Sequence, residues 1–198
     1  QGLTWANALL PSLLIASGLV LCPSPLMAST MTTPYALVVT SEGVAEDVES
    51  EIAEIGSHLR QVGAPPPVTL PNTSTALWAS FISSVAADQL LRRTGVPVKQ
   101  VADYLAAVGG QAQTTWFLDI AHGLVYATAT ATDGQQAQQW LTALRQPALA
   151  RQGYSVLMQQ PSAFGDQLDP WGYQATSLPL MRQLKARWDP KGILPVLW

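Results

Sequence analysis

Two strand-forming stretches lie between two helix-forming ones with only Ala121-His122-Gly123 between the strands, and no other feature of the chain restricts its fold as much. A connection that short permits antiparallel pairing alone, because parallel neighbours need a crossover of a dozen residues or more. The second stretch alternates Val125, Ala127 and Ala129 against Tyr126, Thr128 and Thr130, the period of a strand with one buried face. The helix before the pair starts at Pro97, sets Val101, Tyr104, Leu105 and Val108 on one face and stops at Gly109-Gly110. The helix after it opens with Asp133 and Gln136 at capping-box spacing and carries Ala137, Trp140, Leu141 and Leu144, with Pro147 expected to end or kink it.

The flanks continue the alternation. Tyr35-Ala36-Leu37-Val38-Val39-Thr40, bounded by Pro34 and Gly43, is short, apolar and β-branched and reads as a buried strand. Val44, Val48, Ile52, Ile55, Leu59 and Val62 then recur at helical spacing, with Glu46, Asp47 and Glu49 in the first turn and Arg60 in the last. Gly63 stops that helix, Ala64-Pro65-Pro66-Pro67 opens a loop, and residues 76–83, with Leu77, Trp78, Phe81 and Ile82, read as a short helix or turn. Strands over 89–95 and 154–158 complete the series. A mixed order with an internal hairpin does not suit a doubly wound parallel sheet. It predicts an α+β fold, a ferredoxin-like antiparallel sheet covered by helices on one face.

At 198 residues and 48% hydrophobic content the chain has ample material for a core. A net charge of -3, with Lys+Arg 10 against Asp+Glu 13, offers no cation cluster for phosphates, so nucleic acid is not an expected partner. Cys22, the single cysteine, excludes an internal disulfide framework and a thiolate metal site, and makes a cytoplasmic setting the default. His58 and His122 have no His or Glu at ligand spacing, so no metal is predicted, and no Ser/His/Asp order or carboxylate pair marks an independent hydrolase. Residues 1–41 carry no charge, and 3–22 approach the length of a membrane span. The missing cationic flank, Pro11, the polar Asn7 and Ser12 and the Pro23-Ser24-Pro25 break favour a buried or partner-facing helix over 4–18 and an extended segment over 21–27, with membrane contact peripheral at most. A first residue of Gln rather than Met leads us to expect that something precedes it. The expected organisation is an apolar lead-in over 1–30, the sheet domain over 31–175 and a C-terminal helix and tail over 176–198.

The C-terminal string is the most identifying part of the chain. Asp169-Pro170-Trp171-Gly172 precedes a helix whose Leu180, Met181, Leu184 and Trp188 share one face while Arg182, Lys185 and Arg187 take the others. Ser177 and Pro179 start it, Asp189-Pro190 ends it, and Lys191-Gly192-Ile193-Leu194 follow. Its apolar face predicts an anchoring helix. The string resembles the C-terminal signature of FAD-linked oxidases of the vanillyl-alcohol-oxidase/D-lactate-dehydrogenase type, and within that group it is most similar to the FAD-binding subunits of glycolate oxidases. The family continues with Asn-Pro-Gly-Arg where this chain has Pro195-Val196-Leu197-Trp198.

The resemblance covers about residues 20–194 and implies that the chain is the ferredoxin-like cap of such an enzyme, a lid that shapes a pocket for a small 2-hydroxy acid such as glycolate. It implies FAD as cofactor, held by a flavin-binding half absent from this chain, and partner subunits that bring the assembly to the inner face of a membrane. Gly109-Gly110 is an isolated pair at a helix end, whereas a pyrophosphate needs a run of converging backbone amides, so this polypeptide alone is not expected to hold FAD. Arg92, on the opposite strand face from Arg93, is a candidate partner for the substrate carboxylate, and His122 at the hairpin turn a candidate facing the flavin edge. A surface arginine and a solvated turn histidine are the plainer readings. Trp171, Lys185, Asp189 and Pro190 are assigned mainly structural roles: packing the turn, reaching helix-end carbonyls, binding turn N–H groups and terminating the helix. The competing reading is a non-catalytic ferredoxin-like interaction domain that pairs through its apolar N-terminal segment and Trp-rich surface.

Overall fold

The computed structural model describes residues 1–13, 16–23, 33–70, 79–80, 83–110, 114–172 and 176–194. The hairpin organises the sheet. Strands β4 (Thr115–Asp119) and β5 (Leu124–Ala129) pair antiparallel from Thr115↔Thr128 to Asp119↔Leu124. Gly123 makes the turn possible: its φ is +67°, and a Cβ there would fall on the Val96 carbonyl. Strand β3 (Leu90–Gly95) lies antiparallel between β5 and β6 (Tyr154–Gln159), and helices α3 (Val101–Val108) and α4 (Gly134–Leu149) connect β3 to β4 and β5 to β6. The spatial order β4-β5-β3-β6 with this connectivity is the ferredoxin-like arrangement. A further antiparallel pair, β1 (Ala16–Pro23) and β2 (Tyr35–Ser41), joins the free edge of β4 and gives a six-stranded sheet ordered β2-β1-β4-β5-β3-β6.

Strand alternation separates the two faces. Leu19, Leu90, Leu118, Val125, Ala127 and Ala129 join one core with Ala6 and Leu9 of α1 (Gly2–Leu9), Ile55 and Leu59 of α2 (Ala45–Gln61), Tyr104 and Val108 of α3, and Leu141 and Leu144 of α4. Val20, Cys22 and Phe117 form a smaller buried cluster on the other face, where Phe117 meets the Tyr126 ring edge-on. The Asp133 cap forms as its spacing predicts: its Oδ1 accepts the Gln136 amide at 2.8 Å, and Gln136 Oε1 accepts the Thr132 amide at 2.6 Å.

Four expectations change. Residues 16–18, placed in a helix running from 4 to 18, open β1 instead, because the chain leaves α1 before Pro11 and Leu19, Val20, Leu21 and Cys22 then alternate between the two faces. The strand at Tyr35 is half-buried, with Ala36 alone fully buried, because it forms the outer edge of the sheet. Pro147 does not end helix α4, which runs through it to Leu149, because one lost hydrogen bond in its last turn is outweighed by burial of Ala148, while Arg151 donates to the Pro147 carbonyl at 2.9 Å. The C-terminal helix α5 (Leu178–Trp188) forms, but its apolar face is not packed on the core of this chain: Leu180 is 57% and Trp188 76% exposed. Most of the short segment over 76–83 lies outside the described residues. Among the described residues no helix is long and apolar enough to cross a membrane.

Candidate functional site

The two candidate residues occupy different places. His122 sits on the hairpin turn, 66% exposed, with Nδ1 at 2.9 Å from Asp119 Oδ2 and its backbone amide donating to Asp119 Oδ1 at 3.3 Å. An i, i+3 carboxylate inside a tight turn fixes the imidazole: with Nδ1 donating to Asp119, the neutral ring presents Nε2 as an acceptor. The ring borders a shallow depression of about 180 Å³ with Leu10, Leu13, Ser17, Leu19 and Ala121 around it. Antiparallel pairing of Val20 with Asp119 brings the start of β1 beside this turn.

Arg92 lies inside the molecule. Alternation turns it toward the helices and Arg93 toward the opposite face, where Arg93 stands 5.9 Å from the Tyr154 ring centroid. Arg92 has no exposed surface. Its Nε donates to Ser155 Oγ, and Nη2 to the Ser155 carbonyl at 3.1 Å. Ser155 Oγ shares a 2.6 Å hydrogen bond with Thr94 Oγ1, and Tyr104 donates its hydroxyl to the Leu144 carbonyl at 3.1 Å. Burial, with Arg145 nearby, pulls the Arg92 guanidinium down to about 9, and burial pushes the Tyr104 phenol up. As it stands Arg92 is a core group closed off from solvent, and the fold does not bring it to His122.

The neighbour that sequence reasoning missed is Arg145. It falls within the apolar stripe of Leu141, Leu144 and Ala148, a visible signal that this arginine is buried. Its Nη2 donates to the Asp169 carbonyl at 3.0 Å and its Nη1 stands 3.8 Å from Asp169 Oδ2. Asp119, three residues before His122, was also legible by spacing and was missed.

The C-terminal string forms two local turns. In the first, Asp169 Oδ1 accepts the Trp171 and Gly172 amides, both at 2.9 Å, and the Pro170 carbonyl accepts the Leu157 amide of β6 at 2.8 Å. Trp171 is 39% exposed. In the second, the Asp189 carboxylate accepts from Lys185 Nζ, from the Ile193 amide at 2.8 Å and from the Leu194 amide at 2.9 Å. Lys185 also donates to the Leu194 carbonyl at 2.6 Å. Pro190 directly follows this capping aspartate.

Several glycines allow close packing within the fold: Gly95 lies against the Tyr154 ring, Gly153 against the Gly95 carbonyl and Gly172 against the Arg145 guanidinium. Gly109 abuts the Leu105 carbonyl and Gly110 faces open space at the C-terminal end of α3. Gly109-Gly110 therefore lies at the wrong end of its helix to aim backbone amides at a pyrophosphate. Burial raises the Cys22 thiol to about 11, which removes it as a nucleophile at neutral pH. Among the described residues no three of His, Cys, Asp and Glu converge as metal ligands. No protein-family model and no curated protein matches the chain.

Proposed function

We propose that this chain is the cap and substrate-binding portion of an FAD-dependent oxidoreductase acting on a small 2-hydroxy acid such as glycolate, with the flavin held by a separate half or by a partner polypeptide. The observation that carries this reading is the C-terminal string of the oxidase resemblance, folded as a closed turn about Asp189 and attached to a ferredoxin-like sheet. When bound, the flavin supplies the hydride chemistry. The contribution of this chain is His122, held by Asp119 so that Nε2 can take the proton of a substrate hydroxyl.

Co-purification with a flavin-binding polypeptide tests the reading. The expected result is glycolate-dependent dye reduction that requires both polypeptides, with FAD retained by the flavin polypeptide alone. A flavin polypeptide that oxidises glycolate equally fast without this chain, or that never associates with it, overturns the assignment. The second reading, a non-catalytic ferredoxin-like interaction domain, draws its support from the exposed Leu180, Met181, Leu184 and Trp188 face of α5.

A further inference from the structure

Among the described residues, Arg92 and Arg145 bury two guanidiniums close enough to repel one another, with one carboxylate, Asp169, acting on both. Arg92 has no exposed surface and Arg145 is 8% exposed. Among the described residues, Nη1 of Arg92 and Nε of Arg145 have no hydrogen-bond partner. Asp169 is the carboxylate that acts on both arginines, yet its side chain is 56% exposed and one of its oxygens already accepts two backbone amides. Desolvated cations with unpaired donors are the groups an oxyanion completes best, since each charge-assisted hydrogen bond replaces solvation lost on burial.

The segment from Asp169 to Gly172 lies against Arg145. Arg92 pairs with Leu157 of β6, and the Leu157 amide donates to the Pro170 carbonyl, so this segment closes the edge of the sheet beside α4. Gly172, with φ at +71°, lies where a Cβ would fall on the Arg145 guanidinium. The strap is held by backbone and by a partly solvated carboxylate, and its displacement would uncover Arg145 and open a path to Arg92.

We propose that Arg92 and Arg145 form a latent oxyanion site, gated by the Asp169–Gly172 strap, with the nearby Asp169 carboxylate, 3.8 Å from Arg145 Nη1, as its built-in competitor. An incoming oxyanion displaces Asp169 and takes the free N–H groups of the two guanidiniums. The carboxylate of a small acid and inorganic phosphate offer the same oxygens. The inference goes beyond the flavin reading, because the binding belongs to this chain alone and survives if no flavin partner exists.

The test is a titration of the chain with sodium glycolate and, separately, with inorganic phosphate at constant ionic strength, followed through the Leu157 and Gly172 amide resonances. Saturable shifts are expected with at least one anion, and which anion saturates identifies the source. Asp169→Asn removes the internal competitor and is expected to tighten binding about tenfold, while Arg145→Gln weakens it by a similar factor. Wild type and Asp169→Asn that both fail to saturate with either anion overturn the proposal, as does identical affinity in both. Asp169 is exposed enough that its variant folds, so it decides the matter even if Arg145→Gln does not.

Discussion

Two Asp-Pro turns, Asp169-Pro170 and Asp189-Pro190, use the same local chemistry to opposite ends. Each carboxylate gathers two backbone amides of the residues that follow it, and each turn contains a glycine at positive φ, +71° at Gly172 and +63° at Gly192. The first is docked: its backbone meets Leu157 of β6 and its aspartate meets Arg145 beside the buried Arg92. The second is closed on itself, with its cation, Lys185, one helical turn away on the same helix. A short polar string thus sets a turn wherever it occurs. Whether that turn binds the rest of the molecule depends on a partner the string does not contain.

The widest test of this contrast is the core that receives the first turn. Arg92→Ala is expected to destabilise the fold by about 3–5 kcal/mol in urea unfolding, through the cavity and the loss of a partner for Ser155. Arg92→Met, which restores most of the volume and removes a desolvated charge, is expected to stay within about 1.5 kcal/mol of wild type. Equal losses in the two variants would show that the hydrogen bonds to Ser155, and not volume, hold this end of the sheet.

The two glycines divide the contrast more finely. Gly172→Ala is expected to cost about 2–3 kcal/mol, since positive φ strain adds to displacement of the Arg145 guanidinium. Gly192→Ala, with nothing within 4 Å of its Cβ, is expected to cost about 1 kcal/mol of local strain and to leave the midpoint of global unfolding in place. A larger effect at Gly192 would mean that the C-terminal turn is docked after all.

Where periodicity and turn chemistry act within a few residues, the sequence was a sufficient guide. The short hairpin, the Asp133 cap and the alternation over 124–129 together led to the antiparallel α+β sheet. One error ignored a local signal, Pro11, and the others lie where an outcome depends on distant partners. Pro11 bounded a helix that the apolar run alone had extended into β1, and burial of Ala148 carried α4 past Pro147. The apolar stripe of α5 has the spacing of a buried face, yet amphipathicity states only that a face can be covered, not that this chain covers it. At the candidate site, alternation placed Arg92 and Arg93 on opposite faces but could not tell which face the helices cover.

The smallest expected effect is a titration confined to the second turn. Lys185, by its hydrogen bond, and then the Leu194 and Ile193 amides hold the Asp189 carboxyl down at about 2, below the ordinary value of about 3.9. Its side chain is 6% exposed because its own turn wraps it, and no core element is involved. A carboxyl depressed in the folded turn contributes stability that is complete above the ordinary value and lost as pH falls through the folded one, so the clip opens between about pH 4 and 2. The Ile193 and Leu194 amide resonances should titrate with a midpoint near pH 2, and Lys185→Met should move that midpoint up toward the ordinary carboxylate range. At neutral pH that substitution should leave global unfolding unchanged, because what it releases is one turn at the end of an exposed helix. A parallel loss of global stability would place α5 against the sheet in solution, and the distinction between a docked turn and a self-contained one would fail.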